Sequence, residues 1–218
     1  MNHSDSLSAQ PKGSIFNSST LVSAGGDDMF VARYTAGGAL LWAVRAGSAD
    51  EDGGHDIAAL ADGSSIVIGF IWGRATFGAG EPEETSIGAD GTRHMYLARF
   101  APDGTLDWVV GADSTNTITS RGISALDDGS VFVTGGFEGI AIFGAGEPRE
   151  TVLEDDIFVA RYNSDGTLAW ADGAGGELWE STGWRISALS VGSAIVTGLY
   201  QGAIRFGRDQ PGSVYLSN

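Results

Sequence analysis

Two segments of this sequence concentrate residue types that bind ions or ligands. Residues 48–56 read SADEDGGHD, and four carboxylates and one imidazole lie in them, on Asp50, Glu51, Asp52, Asp56 and His55. Carboxylate oxygens suit Ca²⁺, and the imidazole would also admit a transition metal. The spacing differs from that of an EF-hand loop. The segment therefore predicts either a weak metal site, with Asp50, Asp52 and Asp56 as ligands, or a solvated acidic loop.

The second segment, residues 176–185 (GELWESTGWR), combines two indole rings with charged groups. Exposed aromatic rings beside polar groups are typical of a surface that binds a sugar or a peptide. The same rings could instead cover part of the core. The candidate ligand-binding residues are Trp179, Glu180, Trp184 and Arg185.

Composition excludes several functions. The 218 residues carry a formal net charge of −16, so nucleic acid and anionic membranes would repel the chain. No apolar run approaches the length of a membrane span, and there is no Cys to form disulfides or a thiolate nucleophile. Neither a Gly-x-Ser-x-Gly elbow nor a phosphate-binding loop is present. These features indicate a non-catalytic protein with no nucleic-acid partner and no membrane insertion.

The elements that position both segments belong to an internal repeat. The string (F/Y)-(V/L)-A-R-(Y/F) occurs with its Arg at Arg33, Arg99 and Arg161, at intervals of 66 and 62 residues. A Leu-x-Trp follows each string and ends at Trp42, Trp108 or Trp170. Ile-x-x-Leu, Gly-Ser and Gly-x3-Gly-x3-Phe-Gly motifs complete every unit. Such regularity predicts a tandem-repeat architecture.

Each unit has the pattern of β-strands. Apolar residues alternate with polar ones or form short β-branched runs, and Asp-Gly dipeptides of the kind found in tight hairpins separate them. In one unit the strands are predicted at 57–61, 65–71, 95–100 and 106–110. A long insert joins the second strand to the third, and a loop of about ten residues joins the fourth to the next unit. The fold is predicted to be all-β, with tandem four-stranded antiparallel blades of the β-propeller type.

These motifs resemble the bacterial SBBP-type β-propeller repeats, over essentially residues 15–218. The resemblance rests on (F/Y)-(V/L)-A-R-(Y/F)-x-x-D-G-T-L-x-W, I-x-A-L-x-x-G-S and V-T-G. It implies a secreted or cell-surface protein and no shared catalytic residues. The family usually has Lys where Arg33, Arg99 and Arg161 stand, and the first unit has Gly37-Gly38 in place of Asp-Gly.

The predicted organisation is a disordered leader at 1–13 followed by three repeats at 14–218. The repeats cover about 14–78, 79–144 and 145–207, with a partial tail at 208–218. Three blades are fewer than the four that surround an axis in known propellers, so an open arc with exposed apolar faces is expected. Either a second copy closes a six-bladed ring or the chain is part of a longer repeat protein.

The function predicted from these observations is a binding or scaffolding module. Its protein or carbohydrate partner would meet the face that carries the long connections between strands. Two alternatives are a carbohydrate-active propeller enzyme with axial carboxylates and an adhesion module stabilised by Ca²⁺. Extracellular or surface localisation follows from the family resemblance alone, because no signal peptide is recognisable.

Overall fold

A computed structural model describes residues 20–89, 91–154, 156–176, 181–208 and 210–217. The predicted leader at 1–13 lies outside these residues. The described part is all-β, as predicted, and its strands are antiparallel. None of it forms a helix long and apolar enough to cross a membrane.

The described residues form eighteen strands, which are numbered in chain order. They are β1 (Met29–Tyr34), β2 (Leu40–Ala46), β3 (Gly53–Ala59), β4 (Ser65–Trp72), β5 (Ala75–Phe77), β6 (Thr85–Ile87), β7 (Arg93–Phe100), β8 (Leu106–Ser114), β9 (Thr117–Ala125), β10 (Val131–Glu138), β11 (Ala141–Phe143), β12 (Thr151–Leu153), β13 (Ile157–Tyr162), β14 (Leu168–Gly176), β15 (Thr182–Ala188), β16 (Ala194–Leu199), β17 (Ile204–Phe206) and β18 (Val214–Leu216).

The strands assemble into propeller-like blades, of which two are complete. One has the order β3-β4-β7-β8 and the next has the order β9-β10-β13-β14. At the two ends of the chain, β1-β2 supplies only the third and fourth strands of a blade, and β15-β16 supplies only the first and second. In the described residues, β1 and β16 therefore each have one edge without a strand partner.

The insert between the second and third strands forms a small hairpin in every unit. The hairpin β11-β12 adds to the outer edge of β8 in the preceding blade, and β17-β18 adds to β14 in the same way. The first hairpin, β5-β6, reaches the end of β2 through a bridge between Gly47 and Thr76. Each blade is thus tied to the preceding one by backbone hydrogen bonds.

Two predicted strand boundaries were wrong. The first strand of a blade begins at Gly53 rather than at residue 57, and the fourth strand continues to Ser114 rather than ending at 110. Glycine and polar residues extend these strands because β4 and β11 pair with them along the backbone. Residues 113–121, predicted to be a loop, are consequently two strand ends joined by Thr115 and Asn116.

The repeated tryptophans wedge neighbouring blades together. The indole of Trp42 is buried, and its Nε1–H donates to the Pro102 carbonyl in the turn of the next blade, at 3.0 Å. Trp108 donates to the Ser164 carbonyl in the same way, at 3.2 Å. Gly104 lies against the Trp42 ring at φ +92°, where a Cβ would come within 2.8 Å of the ring. The close approach and the positive φ both require glycine there.

Two of the repeated arginines also link blades, by donating to carbonyl groups in turns of the next blade. Arg33 donates to the carbonyls of Gly63 and Pro102, and Arg99 donates to the Ser164 carbonyl at 3.0 Å. Within a blade, other ion pairs form. Arg99 pairs with Asp62, and Arg161 with Asp128. The carboxylates come from the Asp-Gly turns that join the first two strands, which lie beside the third strand only in the folded sheet.

Replacing Trp42 with alanine should lower the free energy of unfolding by about 3 kcal/mol, because a buried indole is removed between two blades. Chemical denaturation followed by circular dichroism measures the loss. The exposed Trp72 provides the matched control, and Trp72→Ala should cost less than about 1 kcal/mol. Equal losses for the two variants would contradict the wedge role.

The Asp-Gly turns should make the fold acid-sensitive. In each of Asp62, Asp103, Asp128 and Asp165, hydrogen bonds from a Ser or Thr two residues later hold the carboxyl pKa below its ordinary value. A depressed pKa contributes stability above the unfolded value of about 4, and this stability is lost as the pH falls through the folded pKa.

Melting temperatures between pH 7 and pH 2 test this sensitivity. A variant with Asn at the four turn positions keeps an acceptor oxygen but does not titrate, so its melting temperature should fall less steeply below about pH 4. Parallel curves for the variant and the natural sequence would refute the assignment.

Candidate functional site

The first strands of successive blades lie side by side and form the innermost layer of the arc. The ring nitrogen Nδ1 of His55 in β3 lies 2.6 Å from the Ser120 carbonyl oxygen in β9. The Ser120 hydroxyl donates back to the Gly69 carbonyl, at 3.0 Å. Between β9 and β15, the Ala188 N–H donates to the hydroxyl oxygen of Ser124 at 3.0 Å. Residues far apart in sequence therefore meet along this inner layer.

The acidic segment is only partly a loop, and its carboxylates point to different partners. Asp52 is 2% exposed and accepts hydrogen bonds from the backbone N–H groups of Ser48 and Trp72. Burial raises the pKa of this carboxyl above its usual value. Asp56 lies in β3 and accepts from the N–H groups of Ile57 and Ile123. Both side chains stabilise backbone that the strand ladders leave unpaired.

Asp50 is exposed on the connection between β2 and β3, apart from these hydrogen-bonded carboxylates. Across the described residues, no three His, Asp or Glu side chains converge in a way that could hold a metal ion. The structure therefore does not bring Asp50, Asp52 and Asp56 together as one ligand set. These three aspartates were grouped as metal ligands because they lie close together in the sequence. Closeness in the sequence does not define the direction in which a side chain points.

A cluster of cationic and aromatic side chains lies instead where the inner layer meets the long connections. Phe70 near the end of β4 is its centre: the His55 ring stacks on it with centroids 5.2 Å apart. The guanidinium of Arg93, at the start of β7, lies 4.0 Å from the centroid of the same ring. A guanidinium over an aromatic face is attracted by the ring quadrupole.

The next blades complete the cluster with Arg121 and Trp184. The guanidinium carbon of Arg121, in β9, lies 4.9 Å from the ring centroid of Trp184 in β15. Arg185 is exposed and donates to the Arg121 carbonyl at 3.3 Å. We call this group the axial cluster; it consists of His55, Phe70, Arg93, Arg121, Trp184 and Arg185.

The axial cluster is electropositive within a strongly acidic protein. Burial lowers the pKa of Arg93, and the nearby charge of Arg121 lowers it further, while the negative charge of Glu51 partly opposes this shift. Burial also lowers the pKa of His55, with additional repulsion from both arginines. Within the described ranges, Arg93, Arg121 and Arg185 form no ion pair, and the buried Nε atoms of Arg93 and Arg121 have no hydrogen-bond partner. The site can accept an anionic group and a flat ring or apolar surface beside it.

Two of the six residues of this cluster were candidate ligand-binding residues in the sequence. Trp184 and Arg185 were candidate ligand-binding residues and lie in it, whereas Trp179 and Glu180 fall outside the described residues. Arg93 and Arg121 were missed because their motif positions differ and only the packing of three blades brings them together. One usable signal was their departure from the repeat, since neither Arg occupies the shared Ala-Arg position.

A second polar group, around His94, is structural. The imidazole is buried, contacts the Asp113 carboxylate through Nδ1, and accepts from the Ala89 N–H through Nε2 at 2.9 Å. The Thr92 hydroxyl lies 2.6 Å from Nε2 and donates to the Ala89 carbonyl at 2.9 Å. Because the backbone N–H already occupies the Nε2 lone pair, this histidine caps the turn rather than activating the hydroxyl.

The comparison with family models agrees with the observed architecture. Residues 84–107 match the model described as "Domain of unknown function (DUF5122) beta-propeller". The match covers β6, β7 and the Asp-Gly turn that leads into β8. No curated protein matches the chain. The chain is thus similar to a β-propeller family over the segment around β7, which is the third strand of a blade. Its described strands form propeller-like blades.

Proposed function

We propose that this chain is a non-catalytic β-propeller binding module, whose ligand presents an anionic group to the axial cluster. The observation that carries the proposal is the pair of guanidiniums of Arg93 and Arg121. Each is held against an aromatic ring, is partly exposed, and forms no ion pair among the described residues. An anionic ligand would supply the missing counter-charge through charge-assisted hydrogen bonds to the guanidinium groups.

The position of the cluster favours binding on one particular face. Phe70 lies near the end of a second strand and Arg93 begins a third strand, so both lie at the end of the blade that carries the insert. This is the face on which the sequence predicted a partner. The negative charge of the remaining surface would repel competing anions from other positions, and this would confine binding to the cluster.

We assign the module to the SBBP type and to a secreted or surface-exposed protein, on the strength of the repeat motifs across residues 15–218. The carbohydrate-active alternative has less support, because it needs free axial carboxylates. Asp52 and Asp56, the carboxylates of the inner layer, are bonded to backbone N–H groups. The Ca²⁺-stabilised alternative would need its ligands to converge, which the described side chains do not do.

Titration with inorganic phosphate at constant ionic strength tests the anion site. The arginine Nε–H signals of Arg93 and Arg121 in two-dimensional ¹H–¹⁵N NMR should shift in a saturable manner. Arg121→Gln should weaken phosphate binding by about tenfold or more, since a charge-assisted hydrogen bond contributes about 1.5–3 kcal/mol.

The matched control is Arg74→Gln, which removes the same charge from an exposed position outside the axial cluster. This variant should bind phosphate as the natural sequence does. An absence of saturable shifts, or equal weakening by the two substitutions, would overturn the anion site.

A further inference from the structure

The two ends of the arc expose residues whose repeat counterparts are buried. Phe30 in β1 is 69% exposed, whereas Tyr96 and Phe158 at the same position of the other units are each 0% exposed. Tyr34 is 62% exposed against 2% for Phe100 and 1% for Tyr162. The residue types at each position are similar, so the difference in exposure comes from the neighbouring strands that β1 lacks.

The opposite end shows the same contrast on β16 and its hairpin. Ile195 is exposed, while its counterparts Ile66 and Phe132 are buried. Phe206 is also exposed, although Phe77 and Phe143 at the same position are fully buried. In the complete blades these hairpin rings stack on the third-strand aromatic residue, with centroids 5.0 Å apart in both cases.

We propose that β1 of a second copy of this chain pairs with β16, so that two copies close a six-bladed ring through two identical seams. The occupant is indicated by sequence: β1 reads MFVARY, and β13, which fills the same place beside β10, reads IFVARY. Third strands also occupy this place in both complete blades. The free edge of β16 thus lacks a third strand, which is the role of β1 in its blade. The free edge of β1 lacks a second strand, which is the role of β16.

Blade counting supports two copies. The described residues of one chain hold strands for three blades, two of them complete and one divided between β1-β2 and β15-β16. Propellers typically have four to eight blades. Two copies of these described strands give six blades, a number within that range.

The repeat also defines the register of the seam. In the complete blade Val133 faces Ala160, and Phe132 faces Arg161. Transferred by the repeat, Val196 of one copy faces Ala32 of the other. The Thr134 hydroxyl, which donates to the Phe158 carbonyl at 2.8 Å, has Thr197 as its counterpart.

Side chains of the second copy have a space to fill. A cleft of about 620 Å³ lies between β16 and the last complete blade, lined by Val159, Trp170, Val196 and Phe206, among others. Phe158 and Tyr162, the counterparts of Phe30 and Tyr34, pack in the core between the two complete blades. A second cleft of about 660 Å³ runs beside the free edge of β1, where a partner's first two strands would lie.

The tryptophan wedge supports the same seam. Trp42 and Trp108 each rest on the Gly turn of the following blade, but Trp170 is exposed, without such a turn among the described residues. The corresponding turn at the other end carries Gly38, at φ +83° with nothing within 4 Å of the place where a Cβ would stand. In the ring, Trp170 of one copy covers Gly38 of the other.

Light scattering coupled to size exclusion tests the assembly over a wide concentration range. The expected mass is twice the 22.5 kDa of the chain. Phe30→Glu should give a monomer with unchanged circular dichroism, because Phe30 is exposed in the single chain and buried only in the seam. Val152→Glu places the same charge at an exposed apolar position of β12, away from the two free edges, and should remain dimeric.

Disulfide trapping tests the register of the seam. Because the natural sequence has no Cys, only the introduced cysteines can form a disulfide. Directly opposed residues of an antiparallel pair lie about 4.5–5.5 Å apart at Cα, within disulfide reach. The double variant Ala32→Cys, Val196→Cys should give a covalent dimer on a non-reducing gel. Ala32→Cys with Ile195→Cys should not, because adjacent strand residues point to opposite faces.

Three results would overturn the proposal. The first is a monomeric natural chain at all concentrations, which would leave both edges to other repeats. The second is a Phe30→Glu variant that stays dimeric, which would place the contact elsewhere. The third is an intramolecular disulfide, which would show that a single chain closes on itself.

Discussion

The structure depends on the contact that each blade makes with the next. A four-stranded sheet of this size has two faces and two edges to protect from solvent, and no blade here could bury its own apolar face. The fourth-strand tryptophan, the third-strand arginine and the insert hairpin all solve this problem at one boundary. Trp42 and Arg33 both donate to the Pro102 carbonyl, so one turn of the next blade receives both side chains.

This contact explains the pattern of residues that recur. Glycine is needed at the receiving turn because the indole ring occupies the space of a Cβ, as at Gly104 and Gly166. The aspartate of each hairpin turn organises its own Ser or Thr and also pairs with an arginine in two blades, through Asp62 and Asp128. The repeated Trp and Gly residues therefore build the boundaries between blades, whereas the two Asp–Arg pairs join strands of the same blade.

The axial cluster is made of positions that vary between the repeats. Arg93, Arg121 and Trp184 come from three successive blades, and different residue types stand at the equivalent positions of Arg121 and Trp184, two residues before the Ile of Ile-Ser-Ala-Leu. The guanidiniums of Arg93 and Arg121 each lie over an aromatic ring. Cationic groups close together repel, and the aromatic faces of Phe70 and Trp184 offset part of that repulsion. The fold supplies rigid strands as a frame, so a site of this kind can differ between repeat proteins without disturbing the blades.

The strand content, the repeat and the blade-like order of the strands could all be predicted from the sequence. These features depend on local alternation, turn dipeptides and recurrence, which are legible along one chain. The sequence also made Trp184 and Arg185 candidate binding residues, because two indole rings among charges stand out from the repeat, and the structure places both in the axial cluster.

The remaining features depend on contacts between segments that are not neighbours in the sequence. Residues 113–121 became strand ends because β10 and β11, distant in sequence, offered free backbone partners. The carboxylates of Asp52 and Asp56 accept hydrogen bonds from backbone N–H groups, and the repeated arginines donate to carbonyls and to turn aspartates. The position of a residue along a strand defines the face of the sheet on which its side chain lies. It does not define which residues of the neighbouring blade contact that face, and those residues determine the hydrogen-bond and ion-pair partners.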